Sequence, residues 1–300
     1  MAFVDAHTLC VGLSDGIVEI WNLKEMTRQR VKLADKGSCA QIFYNHDLQC
    51  LTVVIFNSHY SEDKHTSIFQ IQLPSLQFKL VFTGNVVLSK NQQGAFLGRQ
   101  INYVNKIEKD TFFNSAFKNS LERRLGHYDL FNHYIRIDNH KHFFALIGNP
   151  AEQHTHKELI EIEPEQGRVI DRYRIDPSQG HYMNLNAILS GDWFVFQAKI
   201  YNSNPTNRKY ILFAINRLTK TTEWLTDLPT QVSAFCTSIH HHQIIASLTN
   251  GDVIIFDIVS GRLIQRLERS NQYGFPLSLA RHNEILAIGY DDGTVEMLSL

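Results

Sequence analysis

The chain of 300 residues has only four cysteines, seven prolines and three tryptophans, and its formal charge is −1. Cys10, Cys39, Cys50 and Cys236 are scattered, with no CxxC spacing to grip a metal or run redox chemistry, so buried free thiols are expected. A charge so close to zero supplies no field to hold a polyanion or an anionic membrane, which speaks against nucleic acid as a partner. No window reaches the run of about 20 apolar residues that a membrane-spanning helix needs. The opening MAFVDAHTLCVG has no basic segment followed by a long apolar run, because Asp5 and His7 interrupt it. Together these absences lead us to expect an intracellular, reducing, cytoplasmic setting.

Catalytic signatures are scarce too. There is no G-x-S-x-G elbow, no P-loop and no G-x-G-x-x-G after a strand-like run. Glu161 and Glu163 fall on one face of an expected strand, as a glycosidase pair would, but alternation yields such pairs in any sheet. Fifteen histidines invite a metal reading. His140 and His142 precede the run FFALIG whereas His154 and His156 follow it. A strand of about six residues spans roughly 20 Å, too far for both pairs to reach one zinc. His240, His241 and His242 fall in another turn. Solvated turn histidines are the expectation, with no catalytic residue, no metal and no cofactor.

What is present is periodicity. At 43% hydrophobic residues the chain can bury a sizeable core, and one domain over residues 1–300 is expected. Three segments align without a gap over fifteen residues: LCVGLSDGIVEIWNL from Leu9, IIASLTNGDVIIFDI from Ile244 and LAIGYDDGTVEMLSL from Leu286. Asp15, Asn250 and Asp292 precede Gly16, Gly251 and Gly293. Val18, Val253 and Val295 follow at one offset, and Ile20, Ile255 and Met297 two positions later. Each unit reads as strand, tight Asx-Gly turn, strand. A further turn and strand follow, as in FDIVSGRLIQRL. Third strands are expected near 17–23, 67–73, 111–117, 158–162, 209–216, 252–258 and 294–300, at intervals of 42 to 51 residues. Residues 110–126 compete with this pattern, since Phe113, Phe117, Leu121 and Leu125 have the spacing of an amphipathic helix. Their placement one interval from both neighbours favours strands.

VEIWNL at 18–23 and VIIFDI at 253–258 resemble the V-x-I-W-D strand of the WD40 family, and Gly126-His127 and Gly180-His181 look like remnants of its Gly-His pair. The stretch from Gly84 to Gly180 matches by strand pattern alone. The resemblance implies an all-β, seven-bladed, WD40-like β-propeller, with blades over 1–36, 37–84, 85–126, 127–176, 177–228, 229–270 and 271–300. The last blade ends on its third strand, so either it has three strands or, as we expect, its outer strand comes from upstream sequence of a longer protein.

Arg28, Arg30 and Lys32 alternate along one outer strand, and Arg168, Arg172 and Arg174 along another, as charges that keep a sheet edge from pairing with foreign strands. Phosphate or acidic-peptide binding is the alternative reading of these arginines. ERRLG at 122–126 is similar to the paired arginines of phosphoinositide-binding propellers but lacks their F-R-R-G. Loop length separates the blades further. Blades one, six and seven turn at SDG, TNG and DDG, whereas blades two, four and five carry NSHYSEDKHT, NPAEQHTHK and NSNPTNRK. Function on a rigid scaffold concentrates in such loops. We therefore expect a non-catalytic interaction scaffold or adaptor that binds a protein or peptide on the face carrying the long loops of blades two to five. His59, Tyr60, His154, His156, Tyr201 and Asn204 are the candidate contacts. By analogy of fold, a monomeric propeller within a larger complex is implied, such as a substrate receptor of a ubiquitin ligase. The alternative is a propeller enzyme or a phosphoinositide-binding or phosphate-binding propeller.

Overall fold

The computed structural model describes residues 1–46, 48–57, 65–84, 86–90, 95–102, 107–114, 120–123, 129–130, 135–137, 142–148, 157–162, 169–175, 181–201, 208–238, 242–268 and 274–300. Among these residues the regular elements are all strands, in seven successive antiparallel meanders. The first is β1 (Ala2–Asp5), β2 (Thr8–Gly12), β3 (Ile17–Asn22) and β4 (Thr27–Lys32). The second is β5 (Ser38–Asn45), β6 (Cys50–Asn57), β7 (His65–Gln72) and β8 (Phe78–Gly84). The third is β9 (Val86–Lys90), β10 (Ala95–Asn102), β11 (Ile107–Asn114) and β12 (Ser120–Arg123). In the fourth, β13 (Asp129–Leu130) is followed by the short β14 (Ile135–Ile137), then β15 (Phe143–Gly148), β16 (Lys157–Ile162) and β17 (Val169–Ile175). The fifth is β18 (His181–Ser190), β19 (Trp193–Tyr201), β20 (Arg208–Asn216) and β21 (Thr222–Leu228). The sixth is β22 (Val232–Ser238), β23 (Gln243–Leu248), β24 (Val253–Asp257) and β25 (Leu263–Leu267). The seventh has three described strands, β26 (Pro276–His282), β27 (Ile285–Tyr290) and β28 (Val295–Ser299).

The chain divides into two compact units, Met1–Val86 with Leu277–Leu300, and Val87–Pro276. In the first unit, apolar residues of the first and second sheets interleave through Cys10, Val18, Ile20, Leu51, Val53, Ile55 and Ile71, while Leu9 and Val11 pack on Ala280 and Ala287 of the seventh. In the second unit, Phe144, Leu159 and Tyr173 of the fourth sheet meet Phe194, Phe196 and Phe213 of the fifth, with Phe196 and Phe213 stacked at 4.9 Å. The other face of the fifth sheet, through Ile188, Val195, Leu212 and Ala214, packs on Ile244, Ala246, Ile254 and Phe256 of the sixth. Alternation places one apolar set on each face of a strand, so a sheet covered on both sides needs runs such as VIIF rather than a simple in-out pattern.

The repeated hairpins close as their sequences dictate. Asp15 and Gly16 adopt φ of 61° and 65°, and Leu13 N–H donates to Ile17 O at 2.9 Å across the turn. Gly251 and Gly293 also have positive φ. The region 110–126 is strand where it is described, β11 to Asn114 and then β12. One element departs from simple meanders. β14 runs parallel to β18, Ile135 opposite Ala187, and also touches β9 at Ser89, joining the third and fifth meanders into one nine-stranded sheet.

All four cysteines are free thiols. Burial pushes the Cys10 thiol up to about 12 and that of Cys39 up to about 11, from an ordinary 9.0. Only the thiolate attacks an alkylating agent, so at pH 8 these two residues should react about 100-fold or more slowly with iodoacetamide in the folded chain than in the urea-unfolded chain. Peptide mass spectrometry of time-resolved adducts measures this; equal rates would show that neither thiol is sequestered.

Candidate functional site

The long loops are rooted on strands paired to their last residues. Asn57 of β6 is opposite His65 of β7, Gly148 of β15 opposite Lys157 of β16, and Tyr201 of β19 opposite Arg208 of β20. At the matching place in the sixth sheet, a tight turn closes with Leu248 N–H on Asp252 O at 2.8 Å. Of the six expected contact residues, Tyr201 is the last residue of β19, where its backbone also pairs with His181 of β18. His59, Tyr60, His154, His156 and Asn204 lie outside the described residues.

Two charged assemblies that the sequence did not disclose are each built on a buried glutamate. In the second unit, Glu161 is 1% exposed near the end of β16. Its Oε1 meets His142 Nδ1 at 2.6 Å and accepts from Arg217 Nη2 at 2.8 Å; its Oε2 accepts from Tyr173 OH at 2.8 Å and Arg217 Nε at 3.3 Å. Arg217 follows β20, so the cluster ties the fourth sheet to the fifth. A second tie lies beside it, from Lys220 Nζ to Asp171 Oδ1. Burial alone would raise the Glu161 carboxyl, but the bonds from Arg217, His142 and Tyr173, together with the charge of Arg217, outweigh it and hold the group below its ordinary 4.5. Burial, followed by the bond to Glu161, raises the Tyr173 hydroxyl. A carboxylate kept ionised and filled with donors has no proton to give and no spare lone pair aimed at a substrate. The cluster is therefore a clamp between sheets rather than an acid–base pair. His142, expected in solvent, is instead part of that clamp; Glu163 lies outside the described residues.

In the first unit, Glu19 of β3 is 4% exposed and gathers Arg30 Nε at 2.6 Å, Arg28 Nη1 at 3.2 Å and Trp21 Nε1 at 3.0 Å. The alternating arginines of β4 thus neutralise a buried carboxylate, besides lining an outer edge. In the fourth sheet Arg172 likewise pairs with Glu158 at 2.7 Å. Between the first and second sheets lies a groove of about 440 Å³ lined by Val4, Asp5, Arg28, Tyr44, Gln49 and Pro74, among others. Burial, then the nearby Asp5 carboxylate, raises the Tyr44 hydroxyl. The groove is built from residues dispersed over two sheets, so no local motif announced it.

No protein-family model matches the sequence, and no curated protein is similar enough to count as a relative. Solved structures do resemble the fold along its whole length. A chain in the crystal structure of a mitotic checkpoint complex matches with a TM-score of 0.64 at 11% identity, over 100% of this chain and 86% of that one. The β-propeller domain of Cps50 (Swd1) from Myceliophteria thermophila matches with a TM-score of 0.66 at 14% identity, over 98% and 93%. Kuenenia stuttgartiensis hydrazine synthase matches with a TM-score of 0.65 at 12% identity, over 99% and 93%. With its succession of antiparallel meanders and their Asx-Gly turns, the chain has the fold of a divergent WD40-like β-propeller.

Proposed function

We propose that this chain is a non-catalytic interaction platform that binds a protein or peptide through the long loops between β6 and β7, β15 and β16, and β19 and β20. The observation that carries this reading is the contrast in those connections. Where the first, sixth and seventh sheets turn tightly on Asx-Gly pairs, these three sheets keep full pairing up to the loop roots and then extend polar segments of six to eight residues. Rigid roots lower the ordering cost of a binding loop, which favours recognition. The blade limits expected from sequence and a monomeric ring seated in a larger assembly belong to this reading, as does a cytoplasmic setting in which the four thiols stay free. Its natural form is an adaptor or substrate receptor. The likeness to a chain of a mitotic checkpoint complex supports a role among protein partners.

Affinity capture from a cytosolic extract, comparing the intact chain with a variant carrying alanine at Tyr60, His154, His156 and Tyr201, tests the proposal. The expected result is a set of partners retained by the first and lost, about tenfold or more, by the second, as for central interface residues. Identical partner sets would remove the loops as the binding surface.

A further inference from the structure

The turn that follows the third strand has one form in the second, fifth and sixth sheets. The fourth residue past the strand, Leu76, Lys220 or Gly261, has φ of 59°, 61° or 66°. Its N–H donates to the carbonyl of the last strand residue, Gln72, Asn216 or Asp257, at 2.9, 2.8 and 2.9 Å. In two of the three sheets this turn is bound by side chains to the sheet before it. Where the fifth sheet meets the fourth, Arg217 and Lys220 bond to Glu161 and Asp171. Where the sixth meets the fifth, the Trp224 indole lies against Gly261, so that a Cβ there would come within 2.4 Å of the ring, and its Nε1 donates to Ile258 O at 2.9 Å.

Where the second sheet meets the first, the corresponding place is open. The groove of about 440 Å³ lies there, lined by Leu73, Pro74 and Leu76 of the turn and by Ile20, Thr27 and Gln29 of the first sheet, among others. Strand register shows what differs. Trp224 is opposite Ala214, two residues before the end of β20; the same position on β3 is Ile20, and opposite it is Gln29. A glutamine thus stands where the fifth sheet has an indole. Leu73 is the counterpart of Ile258, since its N–H donates to Gln49 O as that of Ile258 donates to His242 O. Among the described residues, however, nothing donates to the Leu73 carbonyl. Both sheets have four strands, so the groove is not the place of a missing one.

We infer that the groove between the first and second sheets is a docking site for a tryptophan side chain of a partner protein, with a basic residue beside it. The ring lies against the turn from Leu73 to Leu76 and donates its N–H to Leu73 O. The volume is that of a ligand pocket, and an indole brings a large apolar face with one polar handle. Charge complementarity calls for the basic neighbour. Asp5 and Glu25 both line the groove, and no described residue engages the Glu25 carboxylate, only its backbone N–H being bonded. The guanidinium in the lining, Arg28, already meets Glu19 at 3.2 Å and lies 5.3 Å over the Trp21 ring. The three tryptophans of this chain cannot supply the ring, because Trp21, Trp193 and Trp224 are fixed on β3, β19 and β21. The site is also separate from the loop surface proposed above. In the second sheet the long loop enters β7 at His65, whereas Leu73 follows the other end of that strand, so either surface can fail without the other.

The test titrates the intact chain with a synthetic peptide, acetyl-Ser-Gly-Trp-Lys-Gly-Ser-amide, followed by calorimetry and by amide hydrogen exchange. Saturable binding is expected, with exchange slowed in β4 and in the turn after β7. Alanine in place of the peptide's tryptophan should weaken binding about tenfold or more. Glutamate in place of its lysine should do the same, and Glu25→Lys should restore binding of that second peptide while weakening the first. This charge-swap rescue guards against a variant that merely misfolds. Gln29→Trp supplies the ring from within, as the fifth sheet does, and should weaken peptide binding about tenfold without lowering the melting temperature, because Gln29 is exposed. Alanine at Tyr60, His154, His156 and Tyr201 should leave peptide binding unchanged. No saturable binding, equal affinity for the alanine peptide, no effect of Gln29→Trp, or protection confined to other strands would overturn the inference. So would 3-methylindole binding as tightly as the peptide, which would mark a small-molecule pocket. A chain that sediments as a dimer with this turn already protected would overturn it too, by making a second copy the occupant.

Discussion

Replacing Glu161 with alanine is expected to lower the unfolding free energy by about 3–5 kcal/mol, because it removes a buried carboxylate and strips a half-buried guanidinium, a half-buried imidazole and a buried phenol of their common acceptor. The four groups come from β16, β17, the residue before β15 and the turn after β20, so the loss should loosen the fourth sheet from the fifth. Urea unfolding of the variant measures it; a change below about 1 kcal/mol would mean that the cluster contributes no more than an exposed pair. The same carboxylate gives a pH signature. Its folded-state pKa lies below the ordinary 4.5, so the unfolded chain binds the proton first as pH falls. The stabilisation is therefore complete above about pH 5 and disappears as pH drops through 4.5 toward the lower folded value. Asp171, where burial is outweighed by the bond from Lys220 and others, has the same sign and adds to the slope. Glu161→Gln should flatten the acid limb of the stability curve relative to the native chain.

Gly261→Ala carries the second large effect, about 2–5 kcal/mol. Gly261 has φ of 66°, and a Cβ there would come within 2.4 Å of the Trp224 ring. The left-handed conformation costs a non-glycine residue about 1–2 kcal/mol, and forcing an extra carbon into a packed contact costs about 1–3 kcal/mol. Trp224 is held in place by its own Nε1 bond to Ile258 O at 2.9 Å, so it has little room to retreat. The two contributions separate in a double-mutant cycle with Trp224→Leu. The steric part should vanish with the ring, leaving only the backbone cost. A purely additive cycle would show that the contact between Trp224 and the turn plays no part in the loss.

These two sites differ in how visible they are in the sequence. Gly261 stands in SGR, a turn signal between two apolar runs, and positive φ marks itself by demanding glycine. The same logic exposed the hairpins at Gly16, Gly251 and Gly293, and with them the third strands, which the structure places at Ile17–Asn22, Val253–Asp257 and Val295–Ser299. The ambiguity at Phe113, Phe117, Leu121 and Leu125 has a simple origin. A spacing of four is one helical turn but also a multiple of two, so it suits one face of a strand equally well; Phe113 stands in β11 and Leu121 in β12, whereas Phe117 and Leu125 lie outside the described residues. Glu161 left no comparable mark. Its arginine is 56 positions away, and its histidine sits in a turn where solvent was the natural expectation. Likewise Arg30 reads as an edge charge until β3 brings Glu19 opposite it. Local conformational demands are written in neighbouring residues; ion-pair partners drawn from different sheets are not. The loop residues His59, Tyr60, His154, His156 and Asn204 were chosen from loop length and composition, which locate a surface without arranging its side chains.

The parallel join made by β14 bears on how the nascent chain folds. Most meander strands pair with a neighbour within the next few residues, so a meander can form as soon as it leaves the ribosome. Ile135 must instead wait for Ala187, some fifty residues later. Closing a loop ten times longer than a hairpin turn costs about 2 kcal/mol more in chain entropy. Synthesis therefore passes through a stage in which the edge of β14 that faces away from β9 has no partner, until the fifth meander arrives to cap it.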